Sequence, residues 1–288
     1  MITMSTEHTP CSFTDTQMHR LAELGQHMSD IPHTFADEHE RNCSFQNVEH
    51  AAIAQNRENL RTSVCTTREP ALCRLQRSLA ARLHSEGFAE VVTPTIITAS
   101  QLDKMSVTKD KPLRKQVFWV DSTHCLRPML APGLYVVSRK MMGSLSLPLR
   151  TFEIGSCFRK ESEGSTHLQE FTMVDLVEWG TPVEERDDRL REFMAMITDE
   201  VGLPDWRGAD DESVVYGHGI DTVDEKGLEL ASSSMGPHPL DAAWGIDCTW
   251  VGIGFGLERL LQSREHTDNI HRFARSTTYY DGASLNIK

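Results

Sequence analysis

The chain has 288 residues, 39% hydrophobic and 25% charged, with a formal net charge of −13. That composition fits one large globular domain or two small ones, and no apolar run approaches the roughly 20 residues that span a bilayer. The first residues, with Glu7, His8 and Asp15, lack the basic start and apolar centre of a signal peptide, so a cytoplasmic protein without a membrane partner is expected. Seven scattered cysteines, odd in number and without a CxxC pair, speak against a disulfide framework and a structural zinc site. The acidic total speaks against a nucleic-acid partner, yet residues 101–160 carry eleven Lys/Arg against four Asp/Glu. Lys104, Lys109, Lys111, Arg114 and Lys115 lie closest together. Phosphate binding needs only a local positive surface; a solvated lysine loop is an equal reading.

Residues 1–12 read as disordered. Thr14 then offers a cap to a helix with Met18, Leu21 and Ala22 on one face. Residues 29–66 are polar, with weak helical patterning around 48–60, and residues 1–65 are expected to form a small helical appendage. Leu72, Leu75, Leu79 and Leu83 recur at helical spacing up to Gly87, a stop signal. Residues 88–94 read as a strand ended by Pro94. Extended stretches at 117–120 and 125–128 flank a turn at 121–123, and 131–142 reads as a helix. A hairpin covers 151–179 and an acidic helix 182–201. Strands are expected at 213–216, 227–232 and 249–252, before a last helix at 256–261. Consecutive hairpin strands with few helices between them favour an antiparallel α+β sheet over a doubly wound parallel one. No internal repeat, Walker loop or GxGxxG fingerprint is present.

The densest chemistry lies in the hairpin, which runs Phe152-Glu-Ile-Gly-Ser-Cys-Phe-Arg-Lys-Glu-Ser-Glu-Gly-Ser-Thr-His167 and on through Leu-Gln-Glu-Phe-Thr-Met173. Arg159 and Glu161 are two apart and share a strand face; Phe171, Met173, Asp175 and Val177 repeat that spacing on the next strand. A guanidinium, a carboxylate, the His167 imidazole and the Phe171 ring thus converge, with residues 163–166 able to close over a ligand. This Arg-x-Glu, loop, His-x-x-x-Phe order resembles the second signature motif of class II aminoacyl-tRNA synthetases; an ordinary hairpin with a surface ion pair is the plain alternative. Further on, Trp250-Val-Gly-Ile-Gly-Phe-Gly-Leu-Glu-Arg-Leu-Leu261 alternates Gly252, Gly254 and Gly256 along a strand end, which admits close ligand approach. Arg259 follows in the first turn of a helix whose apolar side is Leu257, Leu260 and Leu261. That pattern resembles the family's third motif, in the right order after the second. The helix, strand and proline at 69–94 resemble its first motif, which forms a dimer interface there, although many α/β proteins contain such a pattern.

The resemblance implies a class II synthetase catalytic domain over 66–288, an antiparallel sheet flanked by helices, which uses ATP and Mg2+. It implies amino-acid activation: a carboxylate attacks the ATP α-phosphorus and gives an aminoacyl-adenylate and pyrophosphate. Such a displacement needs charge neutralisation and positioning more than acid–base help. Arg159 and Arg259 are the catalytic pair implied. Arg159 would hold the α-phosphate and the substrate carboxylate, with Arg259 and His167 on the distal phosphates. Phe171 would stack beneath adenine and Glu161 accept from its amino group, with Lys160 and Leu168 completing the nucleotide site. Glu229 would supply a hard oxygen to Mg2+, with Ser232 beside it.

Within class II, Leu126-Arg-Pro-Met-Leu-Ala-Pro-Gly-Leu-Tyr135, the hairpin, Gly252 to Leu261 and Ala274-Arg-Ser-Thr-Thr-Tyr-Tyr-Asp-Gly282 are similar to the pyrrolysyl-tRNA synthetase family over residues 65–288. The short N-terminus resembles members without a fused N-terminal tRNA-binding domain. By this resemblance the chain is a homodimer that charges an amber-suppressor-type tRNA with pyrrolysine or a related lysine-derived amino acid. The implied amino-acid wall comprises Met129, Ala131, Leu134, Tyr135 and Ser138, then Met173, Asp175 and Val177. Tyr216, on a loop able to close over the amino acid, and Ser232, Ser234, Trp250, Gly252 and Gly254 complete it.

Three positions depart from the family. Asp175 stands where it has an amide-bearing asparagine, and Ser138 and Ser234 where it has larger aliphatic residues. An aspartate offers no N–H donor, and a buried unpaired carboxylate needs a cation or a raised pKa. Either the substrate brings an amine, a protonated imine or another donor, or Asp175 is protonated or bound to a neighbour while pyrrolysine remains the substrate. A paralogue that uses the same chemistry without charging tRNA is a further reading. A catalytically dead module is disfavoured, because Arg159, Glu161, Phe171, Glu229 and Arg259 are all retained.

Overall fold

The computed structural model describes residues 10–160, 164, 167–213 and 215–288. Most of the 1–12 segment expected to be disordered, and the loop residues Glu161, Ser162, Glu163, Ser165 and Thr166, lie outside them. Two compact units result from packing: residues up to Pro70 together with Thr267–Lys288, and Ala71–His266. The resemblance draws the boundary differently, with the C-terminal tail in its second part.

In the first unit, helix α1 (Asp15–Glu23) begins at a capping box: Thr14 Oγ1 accepts from the Gln17 amide, and Gln17 Oε1 accepts from the Thr14 amide. Phe13, Leu21, Ile31 and Phe35 form a small buried core, with Met18, Phe45 and Val48 against it. Helix α2 (Glu38–Thr62) is far longer than its weak apolar periodicity suggested. Asp37 caps it by accepting from the Glu40 amide at 2.9 Å. Its buried Asn56 ties the tail down: Nδ2 donates to Leu24 O and Ala52 O, and Oδ1 accepts from the Ser284 amide at 2.7 Å.

The second unit carries a seven-stranded sheet. Helix α3 (Ala71–Ser85) buries Leu72, Leu75, Leu79 and Leu83, each worth about 2 kcal/mol of transfer free energy, and ends at Gly87 with φ +82°. Only Ala89–Glu90 (β1) of the expected 88–94 strand pairs with the sheet. Ile96–Thr98 (β2) instead leads into the short helices Ala99–Lys104 (α4) and Pro112–Lys115 (α5), and pairs with His124–Leu126 (β3). The expected strand at 117–120 is reduced to a single bridge, Trp119 to Cys125. Helix α6 (Ala131–Met141) follows, then the hairpin of Leu149–Phe158 (β4) and Glu170–Trp179 (β5), in unbroken register from Leu149↔Trp179 to Phe158↔Glu170.

Helix α7 (Arg186–Val201) precedes a correction. Of residues 213–216, expected as a strand, Ser213 ends Trp206–Ser213 (β6), while Val215 and Tyr216 lie in the turn before Gly217–Asp224 (β7). The β6 sequence WRGADDES is rich in residues that strands disfavour. Its place at the sheet edge, held by the β7 ladder, overrides that tendency, and edge charge suits it. Glu229–Gly236 (β8), the short helix Asp241–Trp244 (α8), Trp250–Gly256 (β9) and helix α9 (Leu257–Arg264) complete the unit. The strand order is β1-β4-β5-β9-β8-β7-β6. Every neighbouring pair is antiparallel except β1 with β4. This is the α+β sheet expected. One sheet face, with Phe152, Val174, Val251 and Phe255 buried, is covered by α3, α7 and α9; the other carries the site. Among the described residues no helix is long and apolar enough to cross a membrane, and all seven cysteines are free thiols.

Candidate active site

Strand pairing brings the site together. Asp175 and Ser232 both pair with Gly254, and Val177 and Ser234 both pair with Gly252, so these residues share one face of three adjacent strands. Glycine at 254 is required by space, since a Cβ there would meet Asp175 Oδ1 at 2.5 Å. Met129 and the α6 residues Ala131, Leu134 and Tyr135 cover the trough from above, and Val215 and Tyr216 close it from the β6–β7 turn. The cavity, open at one end, has a volume of about 150 Å³.

Its inner end is aromatic. Trp179 and Trp250 stand with ring centroids 5.8 Å apart, Tyr135 lies edge-on to both at 5.3 and 6.0 Å, and Tyr216 meets Trp250 at 5.9 Å. Buried Asp241 fixes these rings: it accepts from Tyr135 OH at 3.1 Å, Trp250 Nε1 at 2.9 Å and the His238 amide at 2.7 Å. His238 Nε2 in turn lies 2.9 Å from Tyr216 O and holds the turn. Burial raises the pKa values of the Tyr135 and Tyr216 phenols, so both stay neutral donors.

Asp175 faces this cavity at 8% exposure. Burial pushes its carboxyl up to about 7; Glu153 opposite it on β4 pushes the same way, while Arg159 and Arg127 pull it down. Glu153 itself is held in a buried ion pair with Arg127 at 2.6 Å, and both bind Thr93. Gly155 makes room for this pair, because a Cβ there would lie 2.1 Å from Arg127 Nη2.

At the mouth, Arg159 donates from Nε to Pro128 O at 3.0 Å and stacks 5.3 Å from the Phe171 ring. Lys160 is exposed beside Phe118, His167 is exposed, and Leu168 is buried. Glu161 lies outside the described residues. Arg259 pairs with Glu229 at 3.2 Å and also donates to Glu229 O. Glu229 and Ser232, three apart, would by alternation face opposite sides. Val223 pairs with Glu229 and Thr222 with Ala231, so Leu230 is an extra residue that resets the alternation. Among the described residues no three His, Cys, Asp or Glu side chains gather as a protein cage for a metal. One exposed carboxylate beside a hydroxyl fits Mg2+, which takes few protein ligands and keeps water and phosphate oxygens.

Ser138 departs from the expected wall. It is fully buried behind it, sharing a hydrogen bond with Thr151 Oγ1 at 3.0 Å, and does not line the cavity. Trp179 does line it and was missed, although the spacing 171, 173, 175, 177 already pointed two residues further. Nothing local marked Asp241. Glu258 was also missed: only 1% exposed, it accepts from the Thr172 amide with both oxygens at 3.0 and 2.9 Å and from Thr172 Oγ1 at 2.9 Å. It thereby clamps the helix bearing Arg259 to the strand bearing Phe171.

The sequence matches the tRNA synthetases class II core domain (F) over residues 58–203. It is 34% identical over 97 residues to the threonine–tRNA ligase of Treponema pallidum subsp. pallidum, covering 32% of this chain and 16% of that ligase. It is 24% identical over 183 residues to the O-phosphoserine–tRNA(Cys) ligase of Methanococcus vannielii, covering 60% of this chain and 34% of that protein. The chain thus spans a minor part of the length of these relatives. Among solved structures, a pyrrolysyl-tRNA synthetase from Desulfitobacterium hafniense superposes with a TM-score of 0.91 at 46% identity, covering 96% of this chain and 99% of that one. A second pyrrolysyl tRNA synthetase structure from the same organism gives 0.90 at 44% identity, with 99% and 100% covered.

Proposed function

Because the chain belongs to the class II aminoacyl-tRNA synthetases, of the pyrrolysyl-tRNA synthetase kind, we propose that it activates pyrrolysine or a related lysine-derived amino acid with ATP and transfers it to a cognate tRNA. One observation carries the reading: Arg159, stacked on Phe171, stands at the mouth of a cavity whose other end is aromatic. A guanidinium there can hold a phosphate and a carboxylate together, while the cavity receives a long, largely apolar side chain.

In the reaction, a carboxylate oxygen of the amino acid bonds to the α-phosphorus and the bond to the bridging oxygen of pyrophosphate breaks. Arg159 brings the two anions into line and offsets the charge on the α-phosphate. The Phe171 face receives adenine from the side opposite the guanidinium. Arg259, released from Glu229, turns to the distal phosphates, with His167 beside them. Glu161 accepts from the adenine amino group, as the family resemblance implies. Glu229 and Ser232 are the residues that would hold Mg2+, which when bound offsets phosphate charge. Met129, Leu134 and Tyr216 exclude water from the mixed anhydride.

An amber-suppressor-type tRNA is the proposed partner. Exposed Lys104, Lys109, Lys111 and Lys115 support a phosphate-binding surface beside the site. A homodimer is also proposed, supported by Val92 at 89% and Ile96 at 50% exposure next to β1 and β2. ATP–pyrophosphate exchange with pyrrolysine, followed by acid-gel charging of the tRNA, tests the function. Exchange and charging are expected. Exchange without charging of any amber-suppressor-type tRNA would refute the tRNA half, and no exchange with pyrrolysine or its lysine-derived analogues would refute the whole.

A further inference from the structure

We propose that the cavity selects an amino acid whose side chain carries a protonated nitrogen, and that Asp175 is the residue that reads it. This rests on the activation proposed above and adds the charge of the substrate.

Asp175 Oδ1 is buried and has no hydrogen-bond partner among the described residues. No ion pair from those residues reaches it either, although two arginines lie near. Arg127 is taken up by Glu153, Thr93 and Ser156 O, and Arg159 by Pro128 O and the Phe171 ring. On the facing strand, Gly254 presents only backbone. The carboxylate is therefore an acceptor whose partner must come from inside the cavity. A hydrocarbon there would leave it unsatisfied, and a neutral donor would meet one oxygen while leaving a buried charge uncompensated. A cation answers both.

The rest of the wall agrees. Trp179, Trp250, Tyr135 and Tyr216 border the same cavity with neighbouring rings 5.3 to 6.0 Å apart, an arrangement whose electron-rich faces favour a positive charge. Asp175 is the one acidic side chain among the cavity's described lining residues, and Arg159 the one basic one. The cavity is thus polarised, anion-binding at the mouth and cation-binding within. Arg159 lines the same cavity, so the test below also separates a side-chain charge from the α-ammonium of the substrate.

A matched pair of Nε-acylated lysines tests this, one ending in a pyrrolidine that is protonated at neutral pH, the other in its cyclopentane isostere. In ATP–pyrophosphate exchange the wild-type chain is expected to prefer the pyrrolidine compound at least tenfold in kcat/KM. In Asp175→Asn that preference should fall to about one. The Tm rise given by each amino acid without ATP is the second readout, with the same ranking. Equal use of the two compounds by the wild type, or preference for cyclopentane, overturns the inference while leaving activation intact. An equal fold-loss for both compounds in Asp175→Asn also overturns it, since the residue would then read the α-ammonium. A Tm rise with pyrrolidine alone, without pyrophosphate exchange, sustains the inference and refutes activation instead.

Discussion

Asp175→Asn has a consequence for the ligand-free protein that needs no substrate. The Asp175 carboxyl titrates near 7 in the fold, because burial and the Glu153 charge outweigh Arg159 and Arg127, against about 3.9 in an unfolded chain. A raised carboxyl pKa means the native state keeps a proton that the unfolded state has released. Its penalty is absent below about pH 4, grows by about 1.4 kcal/mol per pH unit, and levels off above about 7. Between pH 5 and pH 8 the wild type should therefore lose about 3 kcal/mol relative to Asp175→Asn. Cys157 and Tyr216, which also face Asp175, stay neutral across this window because burial raises both. Glu178 and Asp121, whose pKa values are lowered, have the opposite sign but act at lower pH and are common to both proteins. Urea unfolding of the two proteins at half-unit pH intervals measures the difference directly. Any constant effect of the new amide cancels, because only the slope matters. Parallel curves from pH 5 to pH 8 would refute the reasoning that this carboxylate is buried without a partner.

Three further outcomes follow from the same geometry. Glu258→Ala strips both acceptors from the buried Thr172 amide and hydroxyl; a loss of about 3 kcal/mol in chemical unfolding is expected, with a raised KM for ATP, whereas Glu258→Gln should lose about half as much. Gly155→Ala sets a Cβ against Arg127 Nη2 and forces the buried Arg127–Glu153 pair apart; a loss of about 3 to 5 kcal/mol is expected, read as a fall in Tm. Arg159→Lys keeps the charge but cannot stack on Phe171 or bind two anions with a fork; pyrophosphate exchange should drop about 100-fold, and a drop below threefold would remove Arg159 from the reaction.

Legibility differed by element for physical reasons. The β4–β5 hairpin was readable because alternation along a strand is a local property, and it correctly grouped Met173, Asp175 and Val177. Arg259 and the three glycines were readable because a glycine run followed by a helix start needs no distant information. Strand β6 was not readable, since Asp210, Asp211 and Glu212 carry no strand preference and only the β7 ladder holds them extended. Helix α2 was underread because much of its surface is polar and its anchor, Asn56, gains meaning only through Leu24 and Ser284. Ser138 was expected in the wall through the family resemblance, yet it bonds Thr151 and does not line the cavity.

By itself the sequence pointed to the reaction class proposed: Arg159, Phe171, Glu229 and Arg259 are residue types and spacings that suit phosphate and adenine chemistry, and they lie in short contiguous motifs. Only the tertiary structure decided what surrounds the cavity. Asp241 reaches Tyr135 across 106 residues of chain, Trp179 meets Trp250 across a strand pair, and Glu153, Arg127 and Gly254 come to Asp175 from three separate segments. A pKa near 7 and an unpartnered oxygen are properties of that enclosure, because desolvation depends on which groups exclude water in three dimensions and not on the neighbours along the chain.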